Sequence, residues 1–208
     1  MILGLFPLNI VLFPESVYPL HIYEDRYKAL IKECYEQNKA FGINFLTSLG
    51  MSNIGCSAKV SDIFKSYPDG KMDILVVGEQ RFKIISMQDG SNPYYTADVD
   101  FFDDDIDTYS VSKLYECTEI FNDVVSKIKS INIDRIEPDE LSTKYPSFLI
   151  AQKSGLGAEQ KQALIEIRSE DFRLDYLIKH LKRLTPMIMQ TETINQIIRN
   201  DGYIKPNL

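Results

Sequence analysis

Few residues in this 208-residue chain stand at spacings that support chemistry. His21 and His180 are the only histidines. No Cys-x-x-Cys or His-x-x-x-His pair accompanies them, so a zinc site has no ligand set. Between Leu20 and Ile22, His21 reads as a hydrogen-bonded structural imidazole. Asp103, Asp105 and Asp107 imitate the opening of an EF-hand loop. Thr108 then stands where that loop needs glycine, and Leu114 where it needs a bidentate Glu. The acids therefore read as a solvated linker. Gly155-Leu-Gly157-Ala-Glu-Gln160 opens like a dinucleotide fingerprint but lacks the third glycine, and it follows a helical pattern instead of a strand. No glycine pair precedes Lys-Ser/Thr at phosphate-loop spacing. Serines and lysines are frequent enough to form a dyad, yet no stretch carries a peptidase pattern. The expectation is no catalytic residue, no cofactor and no metal.

Charge limits the partners. Formal net charge is −7. Cut after Asp100, the chain has 12 acids against 9 bases and then 18 against 14, so neither part is basic. The Lys179, His180, Lys182 and Arg183 cluster is a short solvated helix face rather than a phosphate-binding patch. Cys34, Cys56 and Cys117 are odd in number and far apart, which suits a reducing compartment. The opening Met-Ile-Leu-Gly-Leu-Phe-Pro has no basic region, and Pro7 and Pro14 interrupt its apolar run, unlike a signal peptide. No stretch approaches the roughly 18 apolar residues of a membrane span. A cytoplasmic protein, away from membranes, is expected.

The elements follow from period and punctuation. Ile2–Leu5 reads as a short strand ended by Pro7, and Val17–Ile22 as a strand that Pro19 places at an edge or gives a bulge. Tyr27, Leu30, Ile31, Cys34 and Tyr35 make one helical stripe that opens on Glu24 and Asp25 and ends near Asn38. Phe41–Leu46 is strand-like, and Leu49–Gly55 is a loop. Cys56–Tyr67 and Lys71–Val77 flank Pro68-Asp69-Gly70 as a hairpin. Gly78–Gln80 predicts a tight connection, followed by strands over Arg81–Met87 and Tyr94–Phe102. Beyond the acidic run the pattern is helical: Leu114 to Ile131, Pro146 to Gly155, Ala158 to Arg168, and a helix capped by Ser169. Thr185-Pro186 reads as an N-cap and first helical position, so a separate last helix runs to about Arg199. Arg26 and Arg81 each precede an aromatic residue. They serve either surface recognition or fixed pairing that closes the sheet, and the fork geometry of guanidinium favours pairing.

Read as an ordered series, these residues resemble the N-terminal substrate-binding domain of the Lon ATP-dependent proteases. The first block is Phe6-Pro-Leu, Val11-Leu-Phe-Pro14, Pro19-Leu-His-Ile22, Arg26-Tyr27 and Leu30. The second is Phe41-Gly-Ile with Ile54-Gly55 and Ala58-Lys-Val60. Tyr67-Pro-Asp-Gly70, Val76-Val-Gly78, Arg81-Phe82-Lys-Ile84, Tyr94 and Ala97-Asp-Val99 make the third. Ser147-Phe, Ala151, Lys161-Gln162, Leu164-Ile-Glu166 and Arg173-Leu174 complete the series.

The resemblance implies an α+β fold, a six-stranded PUA-like β pseudo-barrel with one short helix followed by a C-terminal helical bundle. The expected division is 1–104 for the strands and 105–208 for the helices. It also implies a free-standing recognition part, since no ATPase or Ser/Lys peptidase module follows Leu208. The expected function is non-catalytic binding of a polypeptide substrate or partner protein. The alternatives are RNA binding through the PUA-like barrel, against which the acidic balance stands, and a stand-alone peptidase. Ile188, Ile194, Ile197 and Ile198 lie past the recognised core. They form either a partner-binding stripe, with self-association through the last helix, or a face that folds back on the bundle.

Overall fold

A computed structural model describes residues 1–88, 90, 92–106, 108–128 and 133–199, the stretch 192–199 by its backbone alone. In chain order the elements are β1 (Ile2–Leu8), β2 (Val17–Ile22), α1 (Asp25–Glu36), β3 (Phe41–Thr47), β4 (Gly50–Ser66), β5 (Met72–Gln88), β6 (Tyr95–Phe101), α2 (Val111–Lys127), a 3-10 turn (Pro138–Leu141), α3 (Pro146–Lys153), α4 (Ala158–Glu166) and α5 (Glu170–Arg199). They form two units. One joins Met1–Asp105 with Leu156–Arg168, and the other holds Ile106–Gly155 and the chain from Ser169 on. A single division at 104 assigns α4 to the helices. Its packing assigns it to the strands, because Arg81 holds its C-terminal end (below).

In the strand unit the order is β2-β5-β4-β3-β1-β6, and β5 pairs with β6 as well, so the ladder returns on itself. Only β1 and β3 run parallel. Leu3, Leu5, Phe82, Ala97 and Val99 form a core cluster, with Met51, Ile84 and Phe101 packed against it. The stripe of α1 buries Tyr27, Leu30, Ile31 and Cys34, while Tyr35 at its margin faces outward. Asn38 ends the helix in the left-handed region (φ 50°). The Pro68-Asp69-Gly70 turn forms as its residues predict, with Gly70 at φ 79° and the Tyr67 N–H donating to the Lys71 carbonyl (2.9 Å).

Three punctuation signals have other causes than the ones expected. β1 continues through Pro7, which lies past the last pair with β6, Leu5–Tyr95, so no ladder on that flank needs its missing N–H. Gly78 makes no turn, and β5 is one long strand. Its N–H donates to the Ser16 carbonyl (2.9 Å) and its carbonyl accepts from Glu15 (2.8 Å). A Cβ at Gly78 would stand 2.1 Å from the Phe13 carbonyl oxygen, so glycine here permits backbone to touch backbone. Thr185-Pro186 starts no new helix, since α5 runs unbroken from Glu170 to Arg199 with Pro186 inside it. Pro186 supplies no N–H, and neither glycine nor asparagine follows closely enough to end the helix there.

The helix unit is built on polar ties around an apolar core. Ser110 caps α2, its Oγ accepting from the Lys113 N–H (3.3 Å). α2 buries Leu114, Cys117, Phe121, Val124 and Val125. Asn122 grips the backbone of Ile136 twice, donating to its carbonyl (3.0 Å) and accepting from its N–H (2.9 Å). Glu170 is 3% exposed and accepts from both the N–H (2.6 Å) and the hydroxyl (2.8 Å) of Ser147, at the start of α3. A carboxylate there satisfies donors that the first helical turn leaves free. Buried Arg173 closes the network on Glu170 and lies over the Phe148 ring. No helix among the described residues is long and apolar enough to cross a membrane.

Candidate functional site

The site begins with the hairpin of β3 and β4. Ser48-Leu49 joins the strands, and Thr47 holds the turn. Its Oγ1 accepts from the Leu49 N–H (3.1 Å) and donates to the Gly50 carbonyl (3.2 Å). Gly50 takes a positive φ (124°), which only glycine adopts without strain. The result leaves Leu49 98% exposed, with Leu46 also facing outward. The register slips between Asn44 and Leu46, and the Asn44 amide donates to the Ser52 carbonyl (3.0 Å) across that slip. Residues Gly50–Gly55 are therefore strand and not the expected loop. Gly55 fits a crowded ladder, where a Cβ would meet the Ile43 carbonyl oxygen at 2.5 Å.

α4 forms the facing wall, and two side chains of the strand unit hold it. Gln162 donates to the Ile54 carbonyl (3.1 Å). Arg81, fully buried in β5, donates to the Ile165 (3.3 Å) and Ile167 (2.8 Å) carbonyls and pairs with Asp104 (2.5 Å). Those carbonyls belong to the last turn of α4, where a helix lacks donors. Arg81 is thus a structural clamp that satisfies the helix end and neutralises a buried acid. Phe102 stacks against its guanidinium. Arg26 likewise pairs, with Glu24 (2.7 Å), and lies over Tyr27.

Between hairpin and helix lies a cleft of about 330 Å³, lined by Phe45, Thr47, Leu49, Gly50, Met51, Ser52, Glu159 and Gln162. From Ala40 to Ala58 the chain carries no Asp, Glu, Lys or Arg, so the hairpin side has no charge. Apolar side chains with flexible Met51 at the floor suit varied apolar segments. A second concavity of about 350 Å³, beside Arg26, Gln88, Asn92, Tyr94 and Tyr95, is more polar. Its Tyr94 hydroxyl donates to Glu33 (2.7 Å) and titrates well above the usual tyrosine range, first through burial and then through that carboxylate.

The chemistry-bearing residues are occupied with structure. Asp104 pairs with Arg81, and Asp105 with Arg168 (2.8 Å), so the acidic run is partly a pairing segment and not only a solvated linker. His21 meets Asp73 through Nδ1 (2.5 Å), and His180 Nε2 meets the Ser154 carbonyl (3.0 Å). The cysteines are buried, and desolvation raises the Cys34 thiol to about 11 and Cys117 to about 12, with Cys56 shifted further upward. Thiols so protonated are poor nucleophiles. No group of three or more His, Cys, Asp or Glu among the described residues suits a metal.

Ile188 is half-buried on α5, between exposed Met187 and Met189. The side chains of Ile194, Ile197 and Ile198 lie outside the described residues. The β3–β4 cleft was not among the residues singled out by motif. The signal for it was the uncharged run with a leucine at its turn.

Comparison with known proteins agrees with the fold. The chain is 24% identical over 204 residues to Lon protease 1 of Hydrogenovibrio crunogenus, covering 92% of this chain and 25% of the relative. It is 24% identical over 213 residues to Lon protease of Cytophaga hutchinsonii, covering 93% and 25%. It therefore spans about a quarter of the length of these relatives. Among solved structures, a Lon N-terminal domain protein from Xanthomonas campestris superposes with a TM-score of 0.67 at 20% identity, over 86% of this chain and 98% of that one. The N-terminal domain of Mycobacterium avium complex Lon protease gives 0.65 at 17%, over 88% and 98%. The family model for the ATP-dependent protease La (LON) substrate-binding domain matches residues 2–183, and the chain belongs to that family.

Proposed function

We propose that this chain is a non-catalytic polypeptide-recognition module that captures unfolded segments on a PUA-like pseudo-barrel, at the cleft between the β3–β4 hairpin and α4. The observation that carries the reading is Leu49, 98% exposed at the lip of a cleft whose hairpin side carries no charge. An exposed leucine beside Met51 and Phe45 gains free energy when an apolar segment covers it. Membership in a substrate-binding domain family supports a polypeptide as the occupant. The clamped positions of α4 and the hairpin support a preformed groove, which lowers the ordering cost of binding.

The test is a titration of the full chain against a permanently unfolded, carboxymethylated model protein, with its native form as control. Saturable binding of the unfolded form is expected, weakened about ten-fold by the Leu49→Ser, Met51→Ser double variant. Equal signals for unfolded and native proteins would reject the reading.

A further inference from the structure

We infer that the cleft prefers segments in which an apolar residue adjoins Lys or Arg, with Glu159 as the specificity-determining residue. The inference rests on the recognition role proposed above. Among the described residues, Glu159 is the only charged one lining the cleft, and it faces a hairpin without a single ionisable side chain of the Asp, Glu, Lys or Arg kind. The other polar wall residue, Gln162, has its amide engaged by the Ile54 carbonyl and by Glu166 (2.8 Å). Glu159 is exposed in the first turn of α4 and makes no ion pair with any described residue. Its carboxylate is therefore a formal charge on the cleft wall that no cation among the described residues neutralises. An apolar side chain entering beside Phe45, Leu49 and Met51 brings its neighbours against that carboxylate. A cation there gains an ion pair with the exposed carboxylate, whereas an acid meets like charge. Apolar area supplies the affinity, and Glu159 selects among apolar segments.

The experiment uses three dye-labelled peptides, Gly-Ser-Leu-X-Leu-Ser-Gly with X as Lys, Gln or Glu, titrated by fluorescence anisotropy at low ionic strength. The Lys peptide is expected to bind about five-fold tighter than the Glu peptide, with Gln between, and added salt narrows the gap. Glu159→Gln brings the three affinities together, and Glu159→Lys reverses their order. Leu49→Ser weakens all three alike. A Lys preference that survives in Glu159→Lys, or equal binding of all three peptides to the parent protein, overturns the charge selectivity while the apolar cleft stands if Leu49→Ser still weakens binding. Affinities indifferent to Leu49→Ser overturn the cleft itself, and this inference with it.

Discussion

Among the described residues each unit buries one arginine, and the two arginines work at different reach. Arg173 pairs with Glu170 three residues away and joins the start of α3 through Ser147. Arg81 gathers Asp104 and the carbonyls of Ile165 and Ile167, more than eighty positions further along the chain. The helix unit's arginine thus reaches a partner on its own helix and one 26 positions away, while the strand unit's arginine reaches carbonyls more than eighty positions away. The cleft depends on the second kind of tie, because α4 is one of its walls. The cleft of the strand unit consequently has no existence apart from that unit's closure.

The largest effects come from breaking either arginine. Arg81→Ala and Arg173→Ala each take the guanidinium away from a buried carboxylate, at a cost of about 3–5 kcal/mol in urea denaturation. They separate in hydrogen exchange. Arg81→Ala strips protection from the amides of α4, and Arg173→Ala leaves the strand unit's amides unchanged. Equal loss in α4 from both variants would erase the distinction between the units. Next is Gly78→Ala, which drives a Cβ into the Phe13 carbonyl and costs about 1–3 kcal/mol or more, with no side chain able to yield. A stability within about 0.5 kcal/mol of the parent would contradict that close approach.

The smallest effect is a pH dependence. Asp73 titrates below the ordinary aspartate range, chiefly because of its hydrogen bond with His21 and then that from Tyr67. A carboxyl depressed on folding adds stability above its unfolded value, about 4, and loses it as pH falls through the folded value. Asp73→Asn therefore flattens the acid limb of a stability–pH curve and leaves the limb above about pH 6 in place. An unchanged slope below pH 4 rules the pairing out as a contributor.

What could be read from residues alone follows the same line between near and far. α1, β2, β3 and the Pro68-Asp69-Gly70 hairpin were legible because period and turn chemistry act over a few positions. Gly55 and Gly78 were misread as loop and connection, since a glycine needed for a turn and one needed for backbone contact look identical in sequence. Pro186 was misread because a Thr-Pro pair looks the same at a helix start and inside a helix, and no terminating glycine or asparagine follows it closely. The Lon-type blocks identified the module, but the cleft escaped notice because it is defined by missing charge and by α4, whose attachment to β4 and β5 no local pattern announces.

The return of Leu156–Arg168 to the strands has a consequence for modularity. The chain passes between units after Asp105, after Gly155 and after Arg168, so no single cut separates them. A gene fusion or recombination joint at Asp105 transfers strands whose Arg81 has lost its helix, and one at Arg168 removes α5 from its partners. Separating the two units therefore takes more than one cut in the chain, and a joint placed between them has to respect all three crossings.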